Sequence, residues 1–335
     1  MTTVYFATNR KPDATETGGF GADIVANDPA AMAYATAEVT GINLADETSG
    51  AITEISDRSQ GKFADAAQAA IVGSGKNLLI FIHGFDNTFN DAIRRAAFNR
   101  EWFTASGVAG ADTNVVAFTW PSEGKLIAAP PHFPPEAYLA DQAQAGKSGF
   151  HIACFLSVID QLRVGYRARN PNGRIFLLAH SMGNYALQAG VQTWFGGRGS
   201  QDLMFDEVFM PGADERYDSF LQPNGGRLSD LPELSGRISV YYSRRDVAMY
   251  LSQALNLIFR LGFNGPDEKT NTTDYPTKTF RILDCTEVED FDALNPPDAT
   301  HQYYRRSKIV RADIASCMAG NPNPAGGLIT LSGRG

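Results

Sequence analysis

This sequence predicts an α/β protein, with a mostly parallel central sheet and helices on both faces. Three features predict it. Apolar, β-branched runs such as Asn77–Ile82 and Asn114–Thr119 lack polar alternation, as strands buried on both faces do. Helical periodicity at 91–103 lies between them, which makes a βαβ unit with a right-handed crossover. The polar residues with chemical potential sit just beyond the carboxyl ends of such runs, the edge where parallel sheets build their sites.

The elements follow in order. Val4–Thr8 is a short β-prone run. Residues 11–60 are rich in Gly, Thr and Asp with weak periodicity, and read as irregular strands and turns at one end of the sheet. Residues 65–72 suit a short helix. Gly73-Ser-Gly-Lys76 is a turn and not a phosphate loop, because Ala70 and Asn77 break that pattern and the segment precedes a strand. After the strands at 77–82 and 114–119 comes a Pro-rich stretch, so 121–147 is expected to be a lid-like excursion. Tyr138 to about Arg167 is one long amphipathic helix or a broken pair. Ile175–Ala179 is a buried strand leading into a helix from Tyr185. Later strands fall at 206–210, 237–242 and 279–283, with helices from Val247 to about Leu261 and on to about Met318. The Gly/Pro/Asn-rich residues 320–335 read as a flexible tail, and the whole of 1–335 as one domain.

The informative stretch is Ala179-His-Ser-Met-Gly183, where an apolar strand meets a helix through a tight turn. This is the form of a nucleophile elbow, with Ala in place of the first small Gly. A serine hydroxyl is a weak nucleophile at neutral pH. It needs a base, an exposed position and N–H donors facing the developing oxyanion. By itself the stretch could equally be a strand whose Ser caps a helix. Order along the chain decides for chemistry. His301 is the only His downstream of Ser181, and is the base by elimination. Asp246 and Asp214 each follow a strand between them. Asp246 has the commoner position for the acid, though a helix N-cap would suit it equally well, and Asp214 stands as an alternative acid or as a group supporting the triad from behind. Met182 and Phe85 are the expected oxyanion donors, Phe85 because Gly84 lets the backbone bend close. His83 and His180 read as packing groups. Ser122-Glu-Gly-Lys125 spells S-x-x-K, but the Gly and the Pro-rich continuation argue against the helix it needs. Tyr241, Tyr242, Tyr303 and Tyr304 read as packing.

Composition sets the limits. Charged residues make up 20% and apolar residues 43%, and the net charge is −8, which argues against a nucleic-acid or anionic-membrane partner. Three cysteines without C-x-x-C spacing suggest neither disulfides nor a zinc site. No apolar run reaches membrane-span length, and Met1–Arg10 lacks a leader pattern, so a cytoplasmic location is expected.

The pieces also resemble a known family, the esterase/lipase-like alpha/beta hydrolases of bacteria grouped as domain of unknown function 900. The resemblance rests on Phe6–Arg10, Phe81-Ile-His-Gly-Phe85 with Phe89, and Phe118-Thr-Trp-Pro-Ser122. It continues through Tyr138, Asp141 and Ser148, Leu178–Asn184, Tyr241-Tyr-Ser-Arg-Arg-Asp246, and His301 with Tyr303. It implies an alpha/beta-hydrolase fold with Ser181, Asp246 and His301 as triad, and no particular substrate. Where that family usually carries an Asp-x-Asp-like segment, this chain has Pro211-Gly-Ala-Asp214, which keeps only the last acid. The sequence thus predicts a serine esterase that works through an acyl-enzyme on a small ester or acyl substrate, with no cofactor and no metal. The alternatives are a thioesterase, amidase or acyltransferase on the same triad, or a non-catalytic binding protein.

Overall fold

The computed structural model describes residues 1–334 apart from 17, 124–126, 129, 130, 133, 198–201, 222–225 and 295–297; for 127, 128, 131 and 132 it describes the backbone alone. The first third holds strands β1 (Thr2–Thr8), β2 (Arg10–Pro12), β3 (Phe20–Ile24), β4 (Ala33–Thr40) and β5 (Ala51–Gln60), then helix α1 (Asp65–Gly73), β6 (Asn77–Ile82), α2 (Phe89–Thr104) and β7 (Thr113–Thr119). The middle holds β8 (Ile127–Ala128), β9 (Pro131–His132), α3 (Pro135–Lys147), α4 (Gly149–Arg169), β10 (Ile175–Ala179), α5 (Gly183–Gly197) and β11 (Glu207–Pro211). The last third holds α6 (Leu231–Leu234), β12 (Ile238–Tyr242), α7 (Val247–Asn256), α8 (Leu261–Asn264), β13 (Phe280–Glu289), α9 (Lys308–Met318) and β14 (Gly327–Arg334).

Among the described residues one ten-stranded sheet runs in the order β14-β13-β12-β11-β10-β6-β7-β1-β4-β5. It is parallel from β14 to β1, while β4 and β5 join antiparallel. The apolar runs alternate between two cores, as a pleat with helices on both faces requires. Leu78, Ile80 and Ile82 pack with Leu156 and Leu187 from α4 and α5. Leu79 and Phe81 face the other way, toward Ile93 and Phe98 of α2 and Ile314 of α9. Each such side chain withdrawn from water stabilises the fold by about 1.5–3 kcal/mol. The α/β-hydrolase architecture expected from the sequence is the one found.

Three expectations need correction, and one open alternative is decided. Residues 33–60 are not irregular: β4 and β5 extend the sheet. Their Ala, Thr and charged residues blur the apolar signal, and β5 is a largely exposed edge. The tail is not loose throughout: β14 pairs parallel with β13, and Ile329 is buried. Its Gly and Ser content hid a short apolar core, Leu328–Leu331. Beyond Tyr138 the broken pair, one of the two forms expected, is the one found, with the break at Ser148 next to Gly149. A Cβ at Gly149 would lie 2.8 Å from the Ala189 carbonyl oxygen, so α4 presses its backbone against α5. The helix from Val247 stops at Asn256, because Leu257 takes a left-handed φ of 54°. Part of the expected excursion at 121–147 and Lys125 lie outside the described residues.

Parallel pairing sets the strand ends side by side. Ala179 is level with Ile82, and Pro211 with Tyr241. The segments leaving β6, β7, β10, β11 and β12 therefore share one edge, and the loop beyond β13 returns His301 to it.

Candidate active site

The site begins with backbone conformation. Ser181 has φ +56°, a left-handed value that side-chain-bearing residues adopt at a cost of order 1–3 kcal/mol. The surroundings hold it there. Its N–H donates to the Pro211 carbonyl at 3.3 Å, and its carbonyl accepts from the Asp214 N–H at 3.1 Å. The Asn184 amide donates to the carbonyls of Ala179 (2.6 Å) and Ser181 (3.2 Å), fastening the start of α5 to the turn. Gly183 has to be Gly, because a Cβ would sit 2.6 Å from the carbonyl oxygens of Ile82 and His83. Ala179 lies within the buried strand, so the missing first Gly leaves the turn intact.

Two expected partners meet at this edge. His301 Nδ1 lies 2.8 Å from Asp246 Oδ2. A carboxylate only accepts, so Nδ1 carries the hydrogen and Nε2 of the neutral ring keeps its lone pair. Asp246 Oδ1 meanwhile accepts from the Met249 N–H at 3.0 Å and caps α7. The cap and the histidine each take one oxygen. Asp246 is fully buried; burial pushes its carboxyl up from the ordinary 3.8, and the His301 ring opposes that. Gly212, at φ +53°, closes over the pair, and a Cβ there would lie 3.0 Å from His301 Cε1. Tyr303 fixes that turn: its hydroxyl donates to the Tyr241 carbonyl (2.8 Å) and accepts from the Gly212 N–H (2.9 Å).

Asp214 is placed differently. Its carboxylate accepts from Tyr138 (2.8 Å) and Ser252 (2.5 Å), with Arg260 Nε at 3.4 Å, and makes no hydrogen bond to His301. The structure brings Asp246 to the imidazole and leaves Asp214 in a network with α3 and α7.

The donors come last. The Met182 N–H, ahead of the first residue of α5, has no hydrogen-bond partner among the described residues. It stands at a helix N-terminus, where partial positive charge gathers. Gly84 crosses so close to Ser181 that a Cβ would fall 2.6 Å from Ser181 Cβ. The Gly84 carbonyl is held by His83 Nδ1 and Asn87 Nδ2, both at 2.9 Å. In a trans peptide the following N–H, that of Phe85, points the opposite way. His83 Nε2 accepts from the Trp120 N–H at 3.0 Å, and the two rings stack at 5.2 Å. Burial, then Arg10, pulls the His83 pKa down to about 3. His180 Nε2 donates to the His301 carbonyl at 3.2 Å, and burial followed by the His301 ring keeps it neutral. Both rings are buried and hydrogen-bonded, and His180 also forms part of the cavity wall beside Ser181.

A narrow cavity opens on Ser181 and His301. Phe85, Tyr138 and Met249 give it apolar surface; Asp86, Arg95 and Asp298 give it charge. None of Tyr241, Tyr242, Tyr303 and Tyr304 lines it. Ser122 donates to Asp141 at 2.8 Å and lies outside the cavity lining. Among the described residues no group of three or more His, Cys, Asp or Glu is placed to hold a metal ion. No described helix is long and apolar enough to cross a membrane. Sequence reasoning missed Asn87, Asn184 and Arg95. Asn184 ends the stretch that carries the resemblance and Arg95 lies in the helix at 91–103, but the sequence assigned no role to either of them or to Asn87.

A family model described as alpha/beta hydrolase of unknown function (DUF900) matches residues 62–315. No curated protein matches the chain. Among solved structures, a cutinase-like protein from Cryptococcus sp. is 13% identical over 74% of this chain and 96% of its own, with a TM-score of 0.36. Carboxyl esterase 2 from the mycorrhizal fungus Tuber melanosporum is 10% identical over 77% and 69%, with a TM-score of 0.29. Likeness at this level says nothing of what this chain does. The family match spans most of the chain and the whole of the edge just described, and on that ground the chain belongs to the alpha/beta hydrolases of unknown function, DUF900.

Proposed function

We propose that the protein hydrolyses carboxylic esters through an acyl-enzyme on Ser181, with His301 as base and Asp246 as its orienting acid. The observation that carries this is the His301–Asp246 bond at 2.8 Å, in the cavity that Ser181 also lines. His301 Nε2 takes the Ser181 proton as the hydroxyl attacks the ester carbonyl. Asp246 stabilises the imidazolium and keeps the tautomer, without taking the proton itself. The amides of Met182 and Phe85 receive the oxyanion, and a trans peptide anchored by His83 and Asn87 does so without reorganising. His301 then protonates the leaving alcohol, and water repeats the sequence to release the acid.

The same groups would serve a thioester or an amide, so the leaving group has to be tested as well. Nitrophenyl esters of graded acyl length, their thioester counterparts and anilides should be compared in wild type and Ser181→Ala. Ester turnover that falls at least about 10³-fold in the variant, with fluorophosphonate labelling lost, is the expected result. Turnover indifferent to Ser181 would sink the reading. Stronger Ser181-dependent turnover of thioesters or anilides would redirect it.

A further inference from the structure

Arg95 of α2 lines the cavity beside Ser181, yet it makes no hydrogen bond or ion pair among the described residues. Its neighbours on the helix behave differently. Arg94 pairs with Asp91 and donates to the Thr48 carbonyl, and Arg100 pairs with Asp112 at 2.6 Å. Arg95 is half-buried. Burial, then the guanidinium of Arg305, holds its pKa below the ordinary value, with Tyr304, Asp86 and Asp298 acting the other way. The charged groups facing it are Arg305, Asp86 and Asp298, and both carboxylates stay beyond ion-pair distance. Asp298 also accepts from Gln302 at 3.0 Å. Asp214, across the cavity, is taken up by Tyr138, Ser252 and Arg260.

A guanidinium is a planar fork of five donors and cannot give up its charge in a protein. Donors turned into a cavity are satisfied by water or by a ligand. A carboxylate fits the fork bidentately. Two acids standing near make a singly charged planar anion a better fit than a phosphate dianion. Resting on the ester-hydrolase reading above, we infer that Arg95 is a specificity-determining residue: the preferred esters carry a free carboxylate, which the Arg95 fork holds while Ser181 attacks.

The test compares substrates within one protein, so general damage cancels. Neutral 4-nitrophenyl butyrate is set against mono-4-nitrophenyl glutarate, with the carboxylate on the acyl side, and against a carboxy-substituted nitrophenyl butyrate, with it on the alcohol side. In wild type, kcat/KM for one carboxylate ester should exceed that of the neutral ester by about tenfold or more, roughly one good charge-assisted contact. Arg95→Met should abolish that ratio chiefly through KM. Arg95→Lys should restore part of it, since charge returns without the fork. Glutarate binding by calorimetry provides a readout apart from catalysis, with Arg95→Met weakening it at least tenfold. Neutral-ester turnover that depends on Ser181, with ratios of one or less or unchanged in Arg95→Met, overturns the role of Arg95 and leaves the hydrolase reading standing. Arg95-dependent glutarate binding without Ser181-dependent turnover does the reverse.

Discussion

Asp246 and Asp214 are two buried carboxylates just beyond neighbouring parallel strands, and they are provided for in opposite ways. Asp214 has donors on both oxygens and a guanidinium beside it, all from groups with no place in the proposed chemistry. Asp246 has one amide and one imidazole. The first arrangement satisfies a charge for the sake of the fold. The second keeps a charge under-solvated, where it can lean on a histidine. A buried acid at a strand end is therefore not a catalytic signal in itself; what counts is whether its partner can pass a proton on.

Substitution should separate the two. Asp246→Asn should lower kcat by about 10⁴-fold, because the amide no longer enforces the tautomer that leaves Nε2 free. Its stability should move the other way. The Asp246 carboxyl is raised in the folded protein, so protonation favours folding below the ordinary 3.8, and that contribution is lost as pH rises through the raised value. At neutral pH the ionised group is a cost, and Asn removes it. Urea unfolding should show the variant at least as stable as wild type at pH 7, with the advantage shrinking toward pH 4. A variant markedly less stable at pH 7 would break the contrast.

Asp214→Asn should do the opposite. Activity should fall less than about tenfold, while stability drops by about 3–5 kcal/mol because the buried Arg260 loses the carboxylate beside it. If Asp214→Asn proves the more damaging to kcat while folded, the roles assigned here are reversed.

The smallest effect concerns His83, a buried neutral ring in the same cluster of strand ends. Its depressed pKa means that its contribution is complete above 6.5 and is lost as pH falls from there toward about 3. Wild-type stability should then fall with a slope of about 1.4 kcal/mol per pH unit from this ring within that window. His83→Asn keeps a donor for the Gly84 carbonyl and removes the titration. Its acid limb should be shallower by about that slope when unfolding is followed from pH 6 to pH 4.

What the sequence disclosed followed a physical rule. The strands from 77 to 242 were legible because both their faces are buried, which leaves an unbroken apolar run. The antiparallel strands at 33–60 and the terminal strand at 327–334 were not, since one-sided burial and Ala, Thr and Gly dilute that signal. Ser181 and His301 stood out through motif and chain order. Choosing between Asp246 and Asp214 needed space, because both offer an acid after a strand and only geometry shows which one faces the ring. Asn184, Asn87 and Arg95 were invisible for a related reason: each acts on backbone or cavity that other elements bring to it.

The left-handed backbone at Ser181 bears on how such a site persists. Glycine is the residue that conformation accepts most readily, and any side chain there raises the energy of the folded chain. Drift left to stability alone would run toward glycine at this position. On the proposed role, a serine at this position trades some folding stability for a hydroxyl presented to substrate. Ser181→Gly would accordingly relieve backbone strain while removing the hydroxyl.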